Sequence, residues 1–321
     1  MSAALLTALG AVLLFAGTGI AAVVLLARHG PASAPSASRP SPTNRSLGAT
    51  SARAKRVNAN GAPLDSRPSP TNRSLGATST RAKRVNASGV ARWCIGSGGY
   101  LLLLALVARG LTVRGLPLSS AYEVSLLTAA ATALVYALGT PRRPAALGGV
   151  CAGSTALAVL VLAAGTFPAG ARVAQPPPTM LMGIWFPLHV IVSAAGYGGL
   201  LLAGSAGLLR LLRGKRAKSK LDTLIAWGLA WGYPLLTLGM TLGAVWGWTT
   251  WGRYWGWSVK EVLSLITWGL FTLALHTRRL QGWKGWVHSA VLTAGLAAVL
   301  VTLLGAEALA RGLGVGMEYV F

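Results

Sequence analysis

Long apolar blocks alternate with short polar ones along most of the chain. Residues 3–27, 95–113, 120–140, 146–167, 184–209, 223–247, 259–276 and 287–309 are each almost wholly apolar. A helix needs about 20 such residues to cross the hydrocarbon of a bilayer. The pattern therefore predicts an all-α polytopic membrane protein with about eight transmembrane helices. The fifth and sixth blocks are long enough to tilt or to project beyond the bilayer. The first has neither a basic leading segment nor a small-residue cleavage site after its apolar core, so it reads as a retained span rather than a signal peptide.

One segment breaks the pattern. Residues 30–92 are rich in Ser, Pro, Arg, Asn and Ala and nearly free of large apolar side chains. Such a stretch buries too little surface to offset its ordering entropy and is expected to be a disordered basic linker. It holds a tandem repeat, SRPSPTNRSLGATSARAKRVNAN at 38–60 and SRPSPTNRSLGATSTRAKRVNAS at 66–88. Repeats that stack into solenoids carry an apolar face, and this one has none. The organisation expected is a first helix over 1–29, the linker over 30–92, and a seven-helix membrane domain over 93–321.

Composition agrees with the pattern: 53% of the 321 residues are hydrophobic and 11% charged, with a mean hydropathy of +0.58. The net charge of +23 does not read as nucleic-acid binding, because it follows the predicted topology. Most Lys and Arg fall in the linker, at Arg142–Arg143, between Arg210 and Lys220, and at Arg278, Arg279 and Lys284. Only Arg109, Arg114, Arg172, Arg253, Lys260 and Arg311 fall on the opposite side. The positive-inside rule then puts both termini and the loop between helices 6 and 7 outside, in the periplasm or a plastid lumen. The linker reads first as a solvated loop that obeys this rule, with contact between its cations and anionic membrane lipids as the alternative. Cys94 and Cys151 form no CxxC and read as small buried hydrophobes.

That outer loop carries the candidate chemistry. VWGWTTWGRYWGWSVKE places five tryptophans between Trp246 and Trp257, spaced by glycines that let a backbone approach closely. An aromatic belt at the headgroup level spends fewer. Trp251 and Trp255, four apart, would share a face if helical, and Arg253 and Lys260 are the neighbouring cations. Rings for the faces of a flat ligand and cations for acidic groups at its edge suit a carboxylated porphyrin; an aromatic quinone uses less of the charge. Histidine is the usual axial ligand of haem iron. His189 opens the fifth span on the side of the loop, whereas His276 ends the seventh near the opposite side. Two ligand sites at different depths fit this placement better than one.

WGRYWGWSVKEVLSLITW resembles the tryptophan-rich "WWD" signature of the cytochrome c assembly proteins, most closely their CcsA (ResC) branch. RGLPLSSAYEVSLL, with Tyr122 and Glu123, WFPLHVIVSAAGY, with His189 and Gly196–Tyr197, GAVWG at 243–247 and LHTRRLQGWKG resemble further segments of that branch in order, over about 95–313. The resemblance implies a membrane subunit that presents haem b at the outer loop for covalent attachment to the CxxCH motif of an apocytochrome c, beside a ResB/Ccs-type partner in a bacterial plasma or plastid thylakoid membrane. It implies that Trp251, Gly252, Trp255 and Trp257 form the haem surface, to which the reading of the residues adds Trp246, Arg253 and Lys260 as candidate contacts. His189 would then be an external axial ligand and His276 the ligand of a deeper site.

The chain departs from the family pattern at two places. Ser258 and Val259 stand where the signature has aspartate and proline, and Gly314 stands where a second external histidine is expected. Ser258 is still a good helix N-cap; Met317 reads first as a hydrophobe, with a substitute axial ligand as the lesser reading. Two other readings remain. One is a scaffold of the same fold without the chemistry; the other is a CcmC-type haem exporter, against which the eight spans and the VKEVLSLITW continuation argue.

Overall fold

A computed structural model describes residues 2–27, 70–139, 145–167, 176–181, 183–213, 218–279 and 285–314, with backbone alone at 25–27, 70–86, 145, 218–220 and 279. Among them the ordered elements are helices: α1 (Ala3–Ala27), α2 (Pro70–Val113), α3 (Ala121–Leu134), α4 (Ala145–Thr166), α5 (Trp185–Arg213), α6 (Lys218–Trp251), α7 (Val259–Arg279), α8 (Trp286–Leu300) and α9 (Ala306–Gly312). A π-helical turn, Val135–Gly139, extends α3, and another, Val301–Gly305, joins α8 to α9. Eight segments are long and apolar enough to cross a membrane, with α8 and α9 forming one span, Trp286–Gly312. The protein is an all-α, multi-pass membrane protein, as the apolar blocks predict.

Two boundaries differ from the pattern. α2 begins at Pro70, inside the second repeat, so the stretch expected to be unstructured is helical from there. Proline is tolerated at a first helical position because its missing N–H has no partner there anyway. The rest of α2 contains no further proline and several good helix formers, and the apolar span supplies the nucleus they extend. The first repeat and the rest of the linker, 30–69, lie outside the described residues. At the other boundary, α6 runs to Trp251 instead of ending near 247. Three of the five clustered tryptophans are therefore helical, and the turn to α7 is only 252–258.

α5 is the most buried span and α7 the least. α5 packs most extensively on α6, followed by α1 on α2. Lipid offers no hydrophobic drive for pairing helices, so close backbone approach must supply the contact. Gly228 and Gly232 on α6 face Gly196 and Gly199 on α5: a Cβ on Gly232 would stand 2.7 Å from the Leu200 nitrogen, and one on Gly196 2.6 Å from that of Leu236. This seam fixes where the start of α5 meets the end of α6. The starts of α3 and α7 and the end of the last span come to the same end of the bundle.

Candidate functional site

At that end the helices enclose a cavity of about 220 Å³. His189, Trp246, Trp251, Trp255 and Lys260 line it together, along with Glu307. Of the other candidate haem-contact residues, Gly252, Arg253 and Trp257 are exposed and do not line it.

His189 sits one turn into α5. Its Nδ1 donates to the Gly239 carbonyl of α6 at 2.7 Å. That bond fixes the tautomer and leaves Nε2 as the nitrogen with a lone pair for a ligand. The ring lies nearly parallel to Trp246, at 10° with centroids 6.4 Å apart. Gly243 makes this position possible, since a Cβ there would stand 2.7 Å from both Cε1 and Nδ1 of His189. Trp246 in turn meets Phe186 at 5.0 Å and Trp251 edge-on at 4.5 Å, and its indole donates to the Met180 carbonyl at 3.4 Å.

The expectation that Trp251 and Trp255 share a helical face is corrected here. α6 stops at Trp251, and Gly252, at φ +70°, turns the chain. Trp255 returns to the cavity from the turn and stands edge-on to Trp257 at 6.0 Å. Its buried indole nitrogen has no hydrogen-bond partner among the described residues. Trp257 is a bulky residue held at φ +58°, an uncommon and strained conformation that tends to mark functional turns.

Ser258 starts α7 with a reciprocal cap. Its Oγ accepts from the Glu261 N–H at 3.3 Å, and the Glu261 carboxylate accepts from the Ser258 N–H at 2.7 Å and the Gly256 N–H at 3.0 Å. This satisfies donors that a helix start leaves orphaned. Ser258 thus caps α7 at the position where the resemblance expects an aspartate. The α3 corner opposite uses the same device: Ser120 and Glu123 cap each other. Glu123 also pairs with Arg109 at 3.1 Å, and the guanidinium lies 5.5 Å from the Tyr122 ring. Tyr122 and Glu123 thus tie α2 to α3, while Ser119, Ser120 and Ala121 face the cavity.

His276 lies elsewhere. It is sixteen residues beyond Lys260 on α7, about 24 Å along the axis at 1.5 Å per residue. It is exposed, with Nδ1 donating to the Thr272 carbonyl at 2.9 Å. His288 is buried and bonded to the Thr277 hydroxyl at 2.8 Å, which makes it a packing residue. Cys151 is buried in the core, and neither Cys94 nor Cys151 is disulfide-bonded. Gly314 ends the last helix at φ +64°; Met317 and His29 lie outside the described residues. Among those described, no three His, Cys, Asp or Glu side chains gather as a metal site.

The family model described as "Cytochrome C assembly protein" matches residues 93–313. The chain belongs to the cytochrome c assembly protein family. Its relatives include proteins named "Cytochrome c biogenesis protein CcsA". That of Chlamydomonas reinhardtii is 30% identical over 238 residues, covering 70% of this chain and 67% of the relative. That of Synechococcus elongatus is 28% identical over 279 residues, covering 68% and 86%. That of Marchantia polymorpha is 44% identical over 82 residues, 26% of each chain. Membership covers every cavity helix, and Gly314 falls just past the matched stretch.

Sequence reasoning missed Gly243, whose role depends on what α5 places opposite it. It also missed Glu307, for which a signal existed: this is one of only six acidic residues, and it sits in a membrane span, where an ionisable group marks a functional position by default.

Proposed function

We propose that this protein is the haem-handling subunit of a membrane cytochrome c synthase. It accepts haem b at the cavity and presents it for covalent attachment to the CxxCH cysteines of an apocytochrome c, in a complex with a ResB/Ccs-type membrane partner. The observation that carries this reading is His189, held by Gly239 so that Nε2 is its ligand nitrogen, in a cavity walled by Trp246, Trp251 and Trp255. In attachment, a cysteine S–H adds across each haem vinyl group; the chain's part is to hold the macrocycle still and keep its edge accessible. His189 ligates the iron, the indoles cover the faces, and Lys260 attracts a propionate.

The charge asymmetry supports placing the cavity on the periplasmic or lumenal side of a bacterial plasma or plastid thylakoid membrane. His276 serves a second, deeper haem site completed by the partner. Its exposure on the least buried span and its committed Nδ1 support that role. The scaffold reading rests on Ser258 and Gly314, and the intact cap at Ser258 removes one of these motives.

The test is holocytochrome c yield in cells carrying the full complex. Trp255→Ala and His189→Ala should each lower yield about tenfold or more, with the protein still present in the membrane. Normal maturation with both substitutions contradicts the proposal.

A further inference from the structure

Resting on that reading, we infer that Tyr254 is a further cargo-binding residue at the rim of the cavity, and that Trp248 is a positioning residue that acts through it. The fold divides the aromatic cluster into two sets. Trp246, Trp251 and Trp255 line the cavity, whereas Trp248 does not. Tyr254 lines it and is also more than half exposed, which places it at the rim. Its ring stacks on Trp248 at 9°, with centroids 4.9 Å apart. Two glycines build this pair. The Gly252 N–H donates to the Trp248 carbonyl at 2.9 Å, and Gly252, at φ +70°, turns the chain out of α6. Gly247 lets that turn fold back on the helix, since a Cβ there would stand 3.0 Å from the Arg253 carbonyl oxygen.

Aromatic rings at the outer end of a span also suit the headgroup level. A ring that serves only as an anchor needs neither a stacked neighbour nor a place on a cavity wall, and Tyr254 has both. Pockets that bury most of a drug-sized ligand run to about 300–1,000 Å³, whereas this one holds about 220 Å³. A flat macrocycle ligated by His189 therefore projects past the rim, where Tyr254 meets it. Attachment requires a polypeptide thiol to reach the projecting edge. A ring laid against one face holds the macrocycle and leaves that edge open. Trp248 supports the phenol ring from behind, so little side-chain freedom remains to be lost when the cargo arrives. The cargo class that fits is a planar conjugated macrocycle, stacked on Tyr254 as Tyr254 is stacked on Trp248.

The experiment follows ferric haem leaving the full chain in lipid nanodiscs for an excess of apomyoglobin, read in the Soret band. A His276→Ala background leaves the outer site alone to report. Tyr254→Ala should speed release roughly tenfold, whereas Tyr254→Phe, which keeps the ring, should release haem at the unsubstituted rate. Trp248→Ala should speed release roughly threefold and add nothing in the presence of Tyr254→Ala, because the two rings act as a unit. An unshifted Soret maximum before release shows that each variant keeps the fold and the His189 ligand. If Tyr254→Ala leaves the rate unchanged while His189→Ala raises it, or if Tyr254→Phe releases as fast as Tyr254→Ala, this inference fails and the haem reading stands. An equal effect of Trp248→Ala with and without Tyr254→Ala overturns the part given to Trp248 and makes it a headgroup anchor. If the unsubstituted outer site takes up no haem, the haem reading fails and this inference with it.

Discussion

At the scale of single residues, the cavity depends on pairs in which one residue makes room for another. Gly243 has no side chain, so the His189 ring can occupy the space beside α6; Gly239 offers its carbonyl one turn earlier. Gly243→Ala would push a methyl group to 2.7 Å from two ring atoms. Overpacking of this kind costs about 1–3 kcal/mol or forces the neighbour to move. Here the imidazole is the movable part, so the expected result is haem affinity reduced tenfold or more while the helix content measured by circular dichroism stays at the wild-type level. Unchanged affinity would show that His189 is not the ligand. His189 is legible in the sequence because a histidine opening a span on the side of a tryptophan cluster is unusual. Gly243 is not, because a glycine's meaning lies in the helix that faces it.

At the scale of elements, the sequence shows the spans and hides where two of them end. Eight apolar blocks predict eight spans because hydropathy reads the bilayer directly. The tryptophan cluster reads as loop because its glycines suggest a break, yet α6 continues through Trp246 and Trp248 to Trp251. Packing on α5 overrides local propensity there. The short remaining turn explains why the cap at Ser258 matters. It fixes the direction in which α7 leaves the turn and so the position of Lys260. Ser258→Ala removes the acceptor of the Glu261 N–H bond and should destabilise the start of α7 by about 1 kcal/mol. Ser258→Asp supplies a cap of equal rank and should leave it unchanged. Hydrogen exchange at the amides of 259–262 reads the difference, and equal protection in all three proteins would contradict the capping account.

At the scale of the whole molecule, the fold gathers the ends of six spans around a cavity and leaves the opposite end of α7 exposed at His276. The glycine seam between α5 and α6 sets the frame, and aromatic side chains and His189 line the cavity it positions. The resemblance seen in five ordered segments and the family match over 93–313 coincide with this part of the chain, while the repeat at 38–88 stands outside it. The claim that joins these levels is that His189 ligates haem iron in the cavity. The most direct measurement is the absorption spectrum of the full-length protein purified with its membrane partner, wild type against His189→Ala. The account predicts a Soret band in the wild type whose external-site component is lost in the variant, while the component from the deeper site at His276 persists. Identical spectra from the two proteins would contradict it.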